Sequence, residues 1–159
     1  MSDGTAAEIA LHGHYNLSVI SPFTNYKTAD FEIMGIPVKH DTTEPFGFLV
    51  KSKSSKLLYL SDTCYTQYNV CGLTHLMIEC NYIKDVIDKN LALGEINVDL
   101  RNRIVKTHFS LENVLEFLKL TDKSRLEEIH LLHMSRGNTD EKRCLSEVQK
   151  IAGCIVKIA

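Results

Sequence analysis

Short apolar runs in the first half of the chain predict β-strands. Phe31 to His40 is strand-like, and Gly47 to Val50 and Leu57 to Leu60 have the pattern of a hairpin. The lysine- and serine-rich stretch 51–56 between the latter two predicts an exposed turn. His75 to Cys80 is a short apolar run, which is typical of a buried strand.

Helical spacing dominates the second half. Ile83 to Leu93 places its apolar residues on one stripe, and Ser110 stands in front of an i, i+3, i+4, i+7 pattern as an N-cap residue. Asn138 and Glu141 have the spacing of a capping box for a further helix. Near the start of the chain, Thr5 to Leu11 is a shorter helix-like piece.

Two more strands complete the pattern, Glu127 to Met134 and Ile155 to Ile158. The predicted order is several strands followed by β-α-α-β-α-β. Because helices alternate with buried strands, we expect an α/β (α+β) fold in which helices cover a sheet.

Composition narrows the class of protein without naming a function. The 159 residues predict a single domain over 1–159, and the net charge of −2 excludes a chain that is basic throughout. No apolar run approaches the roughly 18 residues of a membrane span, and the first residues lack a signal-peptide pattern. The five cysteines are odd in number and have no CxxC spacing, so we expect free thiols in a reducing cytoplasm.

Three polar residues follow directly on predicted strands: His40, Asp62 and His133. Loops at strand ends carry chemical groups on a rigid scaffold. Two imidazoles and a carboxylate together suit zinc or a pair of divalent ions. Each residue alone also has a structural interpretation, since a strand-end histidine is often a hydrogen-bonded packing residue and Asp62 with Thr63 is typical of a turn.

Five motifs in order give the chain a resemblance to a known family. They are His40-Asp41-Thr42-Thr43-Glu44-Pro45-Phe46-Gly47-Phe48, Leu60-Ser61-Asp62-Thr63, Met77-Ile78-Glu79-Cys80-Asn81, His108-Phe109-Ser110 and Leu131-Leu132-His133-Met134-Ser135 with Asn138 nearby. The chain resembles the metallo-β-lactamase superfamily in its phosphodiesterase and nuclease branches. Order and spacing are most similar to the YycJ-like exonuclease subgroup, and next to the tRNA 3′-processing endonucleases.

The resemblance implies a role for each site residue. His40 and His133 would be metal ligands, one on each of two divalent ions, zinc or manganese, and Asp62 would bridge the ions. Glu79 and His108 would form a proton relay, which makes Asp62, Glu79 and His108 the catalytic candidates. Arg136 and Asn138 are the substrate-binding candidates, with an exposed, solvated arginine as the alternative for Arg136. Arg101, Arg103 and Lys106 form a basic stretch that either contacts a nucleic-acid backbone or is a solvated helix face.

One motif of the superfamily has no counterpart here. His-x-His-x-Asp-His should precede His40, whereas His12-Gly13-His14 has only its first spacing and is followed by Tyr15 and Asn16. We therefore expect a partial αββα sandwich, the C-terminal portion of the fold, with its N-terminal strands missing. Three of the roughly seven ligands of a two-ion site would remain, so we expect weak or absent metal binding and activity for these residues alone.

The function predicted from this resemblance is metal-dependent hydrolysis of phosphodiester bonds by a nuclease or phosphodiesterase. The chain would be an enzyme only when the missing half completes it, with a nucleic acid or nucleotide as substrate and no membrane partner. The alternative is a non-catalytic interaction module or a degenerate homologue on the same fold, and a third candidate is hydrolysis of carboxylic esters or lactones. An exposed sheet edge and apolar face would favour a partner chain or self-association.

Overall fold

A computed structural model describes residues 1–10 and 13–159 and contains a seven-stranded sheet. The strands are β1 (Asn25–Lys27), β2 (Glu32–Pro37), β3 (Phe46–Lys51), β4 (Lys56–Leu60), β5 (His75–Glu79), β6 (Glu128–Leu132) and β7 (Ile155–Ile158). The helices are α1 (Asp3–Glu8), α2 (Lys84–Ala92), α3 (Val98–Thr107), α4 (Leu111–Leu120) and α5 (Glu141–Ala152). The predicted α/β class is confirmed.

The strands lie side by side in chain order, and their direction changes at β4. From β1 to β4 neighbours are antiparallel, and from β4 to β7 they are parallel. The carboxyl ends of β4, β5 and β6 therefore meet at one edge, where Leu60 pairs with Ile78 and Glu79 with Leu132. Residues that end these strands are brought together by the topology alone.

One face of the sheet forms the hydrophobic core with the helices. Leu58, Leu76 and Ile129 lie in register across three strands and are fully buried. Val114 and Leu118 of α4, with Cys144 and Val148 of α5, belong to the same buried cluster. Each fully buried aliphatic side chain contributes about 1.5–3 kcal/mol, so this layer holds the strand ends firmly in place.

The opposite face, which we call the open face, is less covered. Phe48, Tyr59 and Met77 lie in register across β3, β4 and β5 and are only half-buried. Ile155 on the edge strand β7 is exposed on this same face, opposite Glu128. A face of this composition is a candidate contact surface.

Most predicted elements are confirmed, with differences that have local causes. The hairpin of β3 and β4 forms around a turn in which Ser52 N donates to Ser55 O at 2.9 Å. Ser110 caps α4, since its Oγ accepts from Asn113 N at 3.2 Å. The predicted cap Asn138 is wrong for α5, because Asp140 accepts from Arg143 N and begins that helix.

Two elements were not predicted, and one was placed only in part. β1 has only three residues, and α3 leaves its apolar Val98 and Leu100 exposed, so neither element has the core-facing apolar stripe that predicts a strand or a helix. The first helix spans Asp3–Glu8, which overlaps the predicted Thr5 to Leu11, and Leu11 lies outside the described residues.

All five cysteines are free thiols, and Cys80 and Cys144 are buried in the core, with their sulfurs 3.6 Å apart. Among residues 1–10 and 13–159, no helix combines the length and apolar character that a membrane span needs.

Candidate metal site

Four titratable side chains converge at the carboxyl edge of the parallel strands. Each of Asp62, Glu79, His108 and His133 offers a ligand atom, and these atoms all lie within 4.8 Å of one another. Glu79 is the last residue of β5, and Asp62 and His133 follow β4 and β6 closely. The fourth member, His108, is the C-cap of α3 just before α4 begins.

Glu79 is the fixed centre of this group. Its side chain is fully buried, and Oε1 lies 2.6 Å from His108 Nδ1 and 2.8 Å from His133 Nδ1. Its second oxygen accepts from the backbone N–H of Thr63 at 3.1 Å. A buried carboxylate is tolerated when it is paired and hydrogen-bonded, and both oxygens of Glu79 are. The carboxylate thereby orients two imidazole rings.

Asp62 is the accessible carboxylate of the group. Its side chain is 53% exposed, and Oδ1 lies 3.2 Å from His133 Nδ1 and 3.9 Å from His108 Nδ1. The two acids therefore have different environments, one buried and saturated with hydrogen bonds and the other open to solvent. An open carboxylate beside fixed imidazoles is available to an incoming ion.

The backbone at two site residues is left-handed. Asp62 and His133 both have φ of 51°, a region that non-glycine residues enter at a cost of roughly 1–2 kcal/mol. Aspartate and histidine are enriched among the residues that do so. This conformation turns the chain sharply at the end of each strand and directs both side chains to the same edge.

Hydrogen bonding to Glu79 is the largest effect on His108 and raises the pKa of its imidazole. Burial opposes this, while the charges of Glu79, Asp62 and Asp41 add to it. The ring is thus held in a strongly negative environment.

His40 lies beside the group and not in it. Its Nδ1 is 3.2 Å from Thr107 O, its Nε2 is 3.2 Å from Asp41 Oδ1, and its ring centroid is 5.5 Å from that of His108. Within the described part of the chain, the cluster of close ligand atoms does not include His40. Its role as a ligand stays a prediction.

The predicted substrate residues occupy the loop after β6. Arg136 is exposed. Asn138 is buried, its Nδ2 lies 3.3 Å from Ser135 Oγ, and its Oδ1 accepts from Asn90 Nδ2 at 2.9 Å. This amide holds the loop to α2, and its contact with a substrate stays a prediction, as does that of Arg136.

Of the two early histidines, only His14 belongs to the described residues, and it is not a member of the group. His12 lies outside the described residues, whereas His14 is exposed and stacks on Tyr15 with a centroid distance of 4.9 Å.

Sequence reasoning did not single out Asp41 or the hydroxyl of Thr63. Asp41 contacts His40 and pairs with Arg103 at 3.0 Å. The Oγ1 of Thr63 accepts from Lys39 N at 3.1 Å and donates to Tyr65 O at 2.9 Å, which ties two loops together. Their positions next to His40 and Asp62 in the sequence were the available signal.

The donor set fits a divalent cation. Imidazole nitrogens and carboxylate oxygens are ordinary zinc ligands, and ligating histidines usually donate their second ring N–H to a carboxylate. Glu79 is placed to accept such hydrogen bonds from His108 and His133, and Asp62 is placed to bind an ion directly. The described residues hold one group of this kind.

The architecture that carries this group is that of metallo-β-lactamase-fold proteins. The seven-stranded mixed sheet and the helices packed on it match solved structures of this fold over most of the chain.

Three solved structures are similar to this chain in fold. The metallo-β-lactamase-fold protein YhfI from Bacillus subtilis matches 89% of this chain with a TM-score of 0.64 and 15% identity. Zn²⁺-bound PqqB from Methylobacterium extorquens matches 99% with a TM-score of 0.68 and 10% identity. A diphosphatase from the PhnP family matches 89% with a TM-score of 0.57 and 17% identity.

The chain spans 52% of YhfI, 60% of PqqB and 45% of the diphosphatase. No protein-family model matches it, and no curated protein does. At these identities the likeness shows the fold.

Proposed function

We propose that this chain carries part of the active site of a metal-dependent hydrolase of phosphodiester bonds, a nuclease or phosphodiesterase. The observation that carries the proposal is the buried Glu79 carboxylate between two imidazoles, with the open Asp62 carboxylate beside them. A nucleic acid or nucleotide is the proposed substrate, and two zinc or manganese ions are the proposed cofactors.

The residues divide into three roles in this proposal. Asp62 and His133, with His40, would hold the ions, and bound ions would supply a water molecule of lowered pKa and stabilise charge on phosphoryl oxygens. Glu79 Oε1 and His108 Nδ1 lie 2.6 Å apart, within hydrogen-bond distance, and form the candidate relay of a proton to the leaving oxygen. Arg136 remains the proposed phosphate contact because its fork of donors matches phosphate geometry.

A basic cleft beside His40 supports phosphodiester chemistry over hydrolysis of carboxylic esters or lactones. Lys39, Arg103 and Lys106 line this cleft of about 460 Å³ together with Asp41 and Asp99, so three cations face two acids, and Arg103 pairs with Asp41 while Lys39 and Lys106 carry the excess positive charge. Cationic side chains next to a metal site favour a phosphate-bearing substrate. The diphosphatase among the similar structures also acts on phosphate bonds, as its name states.

The number of donors leads us to propose that other residues complete the site. Two tetrahedral ions have roughly eight coordination positions between them, and only three residues are assigned to them here, Asp62, His133 and His40. We therefore expect weak metal binding by these residues alone. The remaining donors would come from a preceding half of the same protein or from a partner chain. The free thiols support a cytoplasmic location within the same proposal.

Metal binding and hydrolysis test this proposal directly. Calorimetric titration with MnCl₂ should show weak binding by the 159 residues and much tighter binding once an in-frame His-x-His-x-Asp-His segment, sought in the coding DNA upstream of Met1, is joined to them. The completed protein should hydrolyse bis(4-nitrophenyl) phosphate and lose this activity with a chelator. Tight metal binding without hydrolysis of any phosphodiester would contradict the proposal.

A non-catalytic interaction module is the second candidate, and the open face favours it. Phe48, Tyr59 and Met77 form an apolar strip across three strands, and β7 ends the sheet with a free edge. Such surfaces associate with a partner chain or with a second copy of the same chain.

Ile155→Lys is expected to weaken self-association of the chain. Ile155 lies on the open face and on the edge strand β7. A lysine at this position would place a charge in the surface through which two copies would associate. Within its own chain, the lysine would face Glu128 on the neighbouring strand. Sedimentation velocity should show a shift toward monomer at a concentration at which the unmodified chain associates. Leu93→Lys, an equally exposed position at the end of α2, is the control and should not change the distribution. The same shift in both variants would show that association does not use this face.

A further inference from the structure

A cavity of about 260 Å³ lies between the β4–β5 connection and α4. Its walls carry four aromatic rings, those of Tyr65 and Tyr68 on one side and of Phe109 and Phe117 on the other. We call it the aromatic cavity. Phe23 packs edge-on against Tyr68 with centroids 5.2 Å apart, which fixes the orientation of that ring.

Both walls of the aromatic cavity start at residues of the metal site. The wall that contains Tyr65 and Tyr68 follows Asp62 and Thr63 in the chain. Thr63 N donates to Glu79, and Thr63 Oγ1 donates to Tyr65 O at 2.9 Å. The other begins with Phe109, the residue after His108. Asn113 Nδ2 joins the two walls by donating to Cys64 O at 3.3 Å. A ligand in the cavity would therefore lie against the two segments that present Asp62 and His108.

The walls of the cavity offer several hydrogen-bond acceptors, and the one charged group among their described residues, the Glu116 carboxylate, can only accept. The side-chain NH₂ groups of Gln67, Asn69 and Asn113 each donate one hydrogen bond, to Tyr68 OH, Leu120 O and Cys64 O. Their amide oxygens accept no hydrogen bond from the described residues, and the Glu116 carboxylate also lines the cavity. The lining residues include no lysine, arginine or histidine, so the cavity does not suit a phosphate group.

Shape and chemistry together define the ligand. Aromatic walls bind planar rings by stacking, and oxygen acceptors bind N–H donors at a ring edge. At about 260 Å³, the cavity is below the roughly 300 Å³ at which sites for drug-sized ligands begin, which suits one ring system.

We propose that the aromatic cavity binds a nucleobase that carries an exocyclic amino group, such as adenine or cytosine. This assignment rests on the proposed function in that it supplies the base of the nucleic acid or nucleotide whose phosphodiester is cut. The basic cleft beside His40 would take phosphates, and the aromatic cavity would take a base.

Nucleoside binding by the 159-residue chain tests the proposal without metal. In ¹H–¹⁵N spectra, adenosine and cytidine should shift the amides of residues 65–69 and 109–117. Uridine, which has a carbonyl in place of the amino group, should bind several-fold more weakly, and ribose 5-phosphate should leave these amides unchanged. Equal affinity for uridine, or the same shifts with ribose 5-phosphate, would overturn the assignment.

Two variants locate the contact. Tyr65→Ala should raise the Kd for adenosine about tenfold, because stacking on one ring is worth that much, and Tyr65 is already 60% exposed, so the fold should be retained. Tyr15→Ala removes an 88% exposed ring that does not line the cavity and should leave the Kd unchanged. Glu116→Gln should weaken adenosine binding more than uridine binding. An unchanged Kd in Tyr65→Ala would overturn the proposal.

An experiment can distinguish failure of nucleobase binding in the aromatic cavity from failure of the proposed hydrolase function. Bis(4-nitrophenyl) phosphate has no nucleobase, so its hydrolysis by the completed protein is independent of the aromatic cavity. Adenosine binding without hydrolysis would support the cavity and count against the hydrolase. Hydrolysis without nucleoside binding would support the hydrolase and overturn the cavity.

Discussion

Glu79→Ala is expected to lower the free energy of unfolding by about 3 kcal/mol, because it removes the acceptor of three hydrogen bonds in a buried position. The N–H of Thr63 would lose the carboxylate that it now contacts at 3.1 Å, and at best a water molecule would replace it in the space that the side chain leaves. His133, which is half exposed, would recover a water molecule, so its share of the loss is smaller. Urea denaturation followed by circular dichroism measures the change.

Two further variants separate the effect of the Glu79 charge on stability from the effect that any glutamate substitution has. Glu79→Gln keeps the volume but turns an NH₂ group either toward Thr63 N or toward the two histidines, so part of the loss should remain. Glu95→Ala, an exposed glutamate after α2, should change stability by less than about 0.5 kcal/mol. Equal losses at positions 79 and 95 would contradict the central role of Glu79.

Asp62→Ala is expected to abolish hydrolysis in the protein with a complete metal site. Loss of an outer-shell partner already costs about 10–100-fold in metal affinity, so removal of Asp62, which we propose as a direct ligand, should cost more than about 100-fold. Asp62→Asn is the sharper form, because asparagine tolerates the left-handed backbone at this position while losing the charge. Calorimetry with MnCl₂ and the rate on bis(4-nitrophenyl) phosphate measure the two effects.

Stability should respond much less than at Glu79. Asp62 is half exposed, so solvent screens its contacts with His133 and His108, and its neutralisation should change the free energy of unfolding by less than about 1 kcal/mol. Asp88→Asn is the matched control, since that side chain is also 53% exposed but pairs with Arg101 away from the site. Unchanged turnover in Asp62→Asn would refute the bridging role.

The sequence predicts the framework well where local chemistry decides it. Ser110 before an apolar stripe and the lysine–serine turn between two apolar runs are local signals, and both were confirmed. The cap of α5 was misplaced because Asn138 and Asp140 are both good capping residues, and only packing of Asn138 against Asn90 decides between them. The apolar residues of α3 do not mark a core-facing stripe, because Val98 and Leu100 are exposed and the buried residue of this helix is Thr107.

The candidate site was predictable in part for a topological reason. Parallel strands end at one edge, so polar residues after β4, β5 and β6 had to lie near one another. His108 arrives from a helix end, and its position against Glu79 depends on how α3 and α4 pack on the sheet. The distance between His40 and the cluster likewise depends on tertiary packing that no local pattern encodes.

The left-handed backbone at Asp62 and His133 has a consequence for the stability of the sheet edge. Glycine would occupy either position at lower energetic cost, and asparagine also tolerates this conformation. The backbone cost at these two residues must therefore be offset elsewhere in the fold, and the buried strands that precede them are the part of the chain best able to offset it.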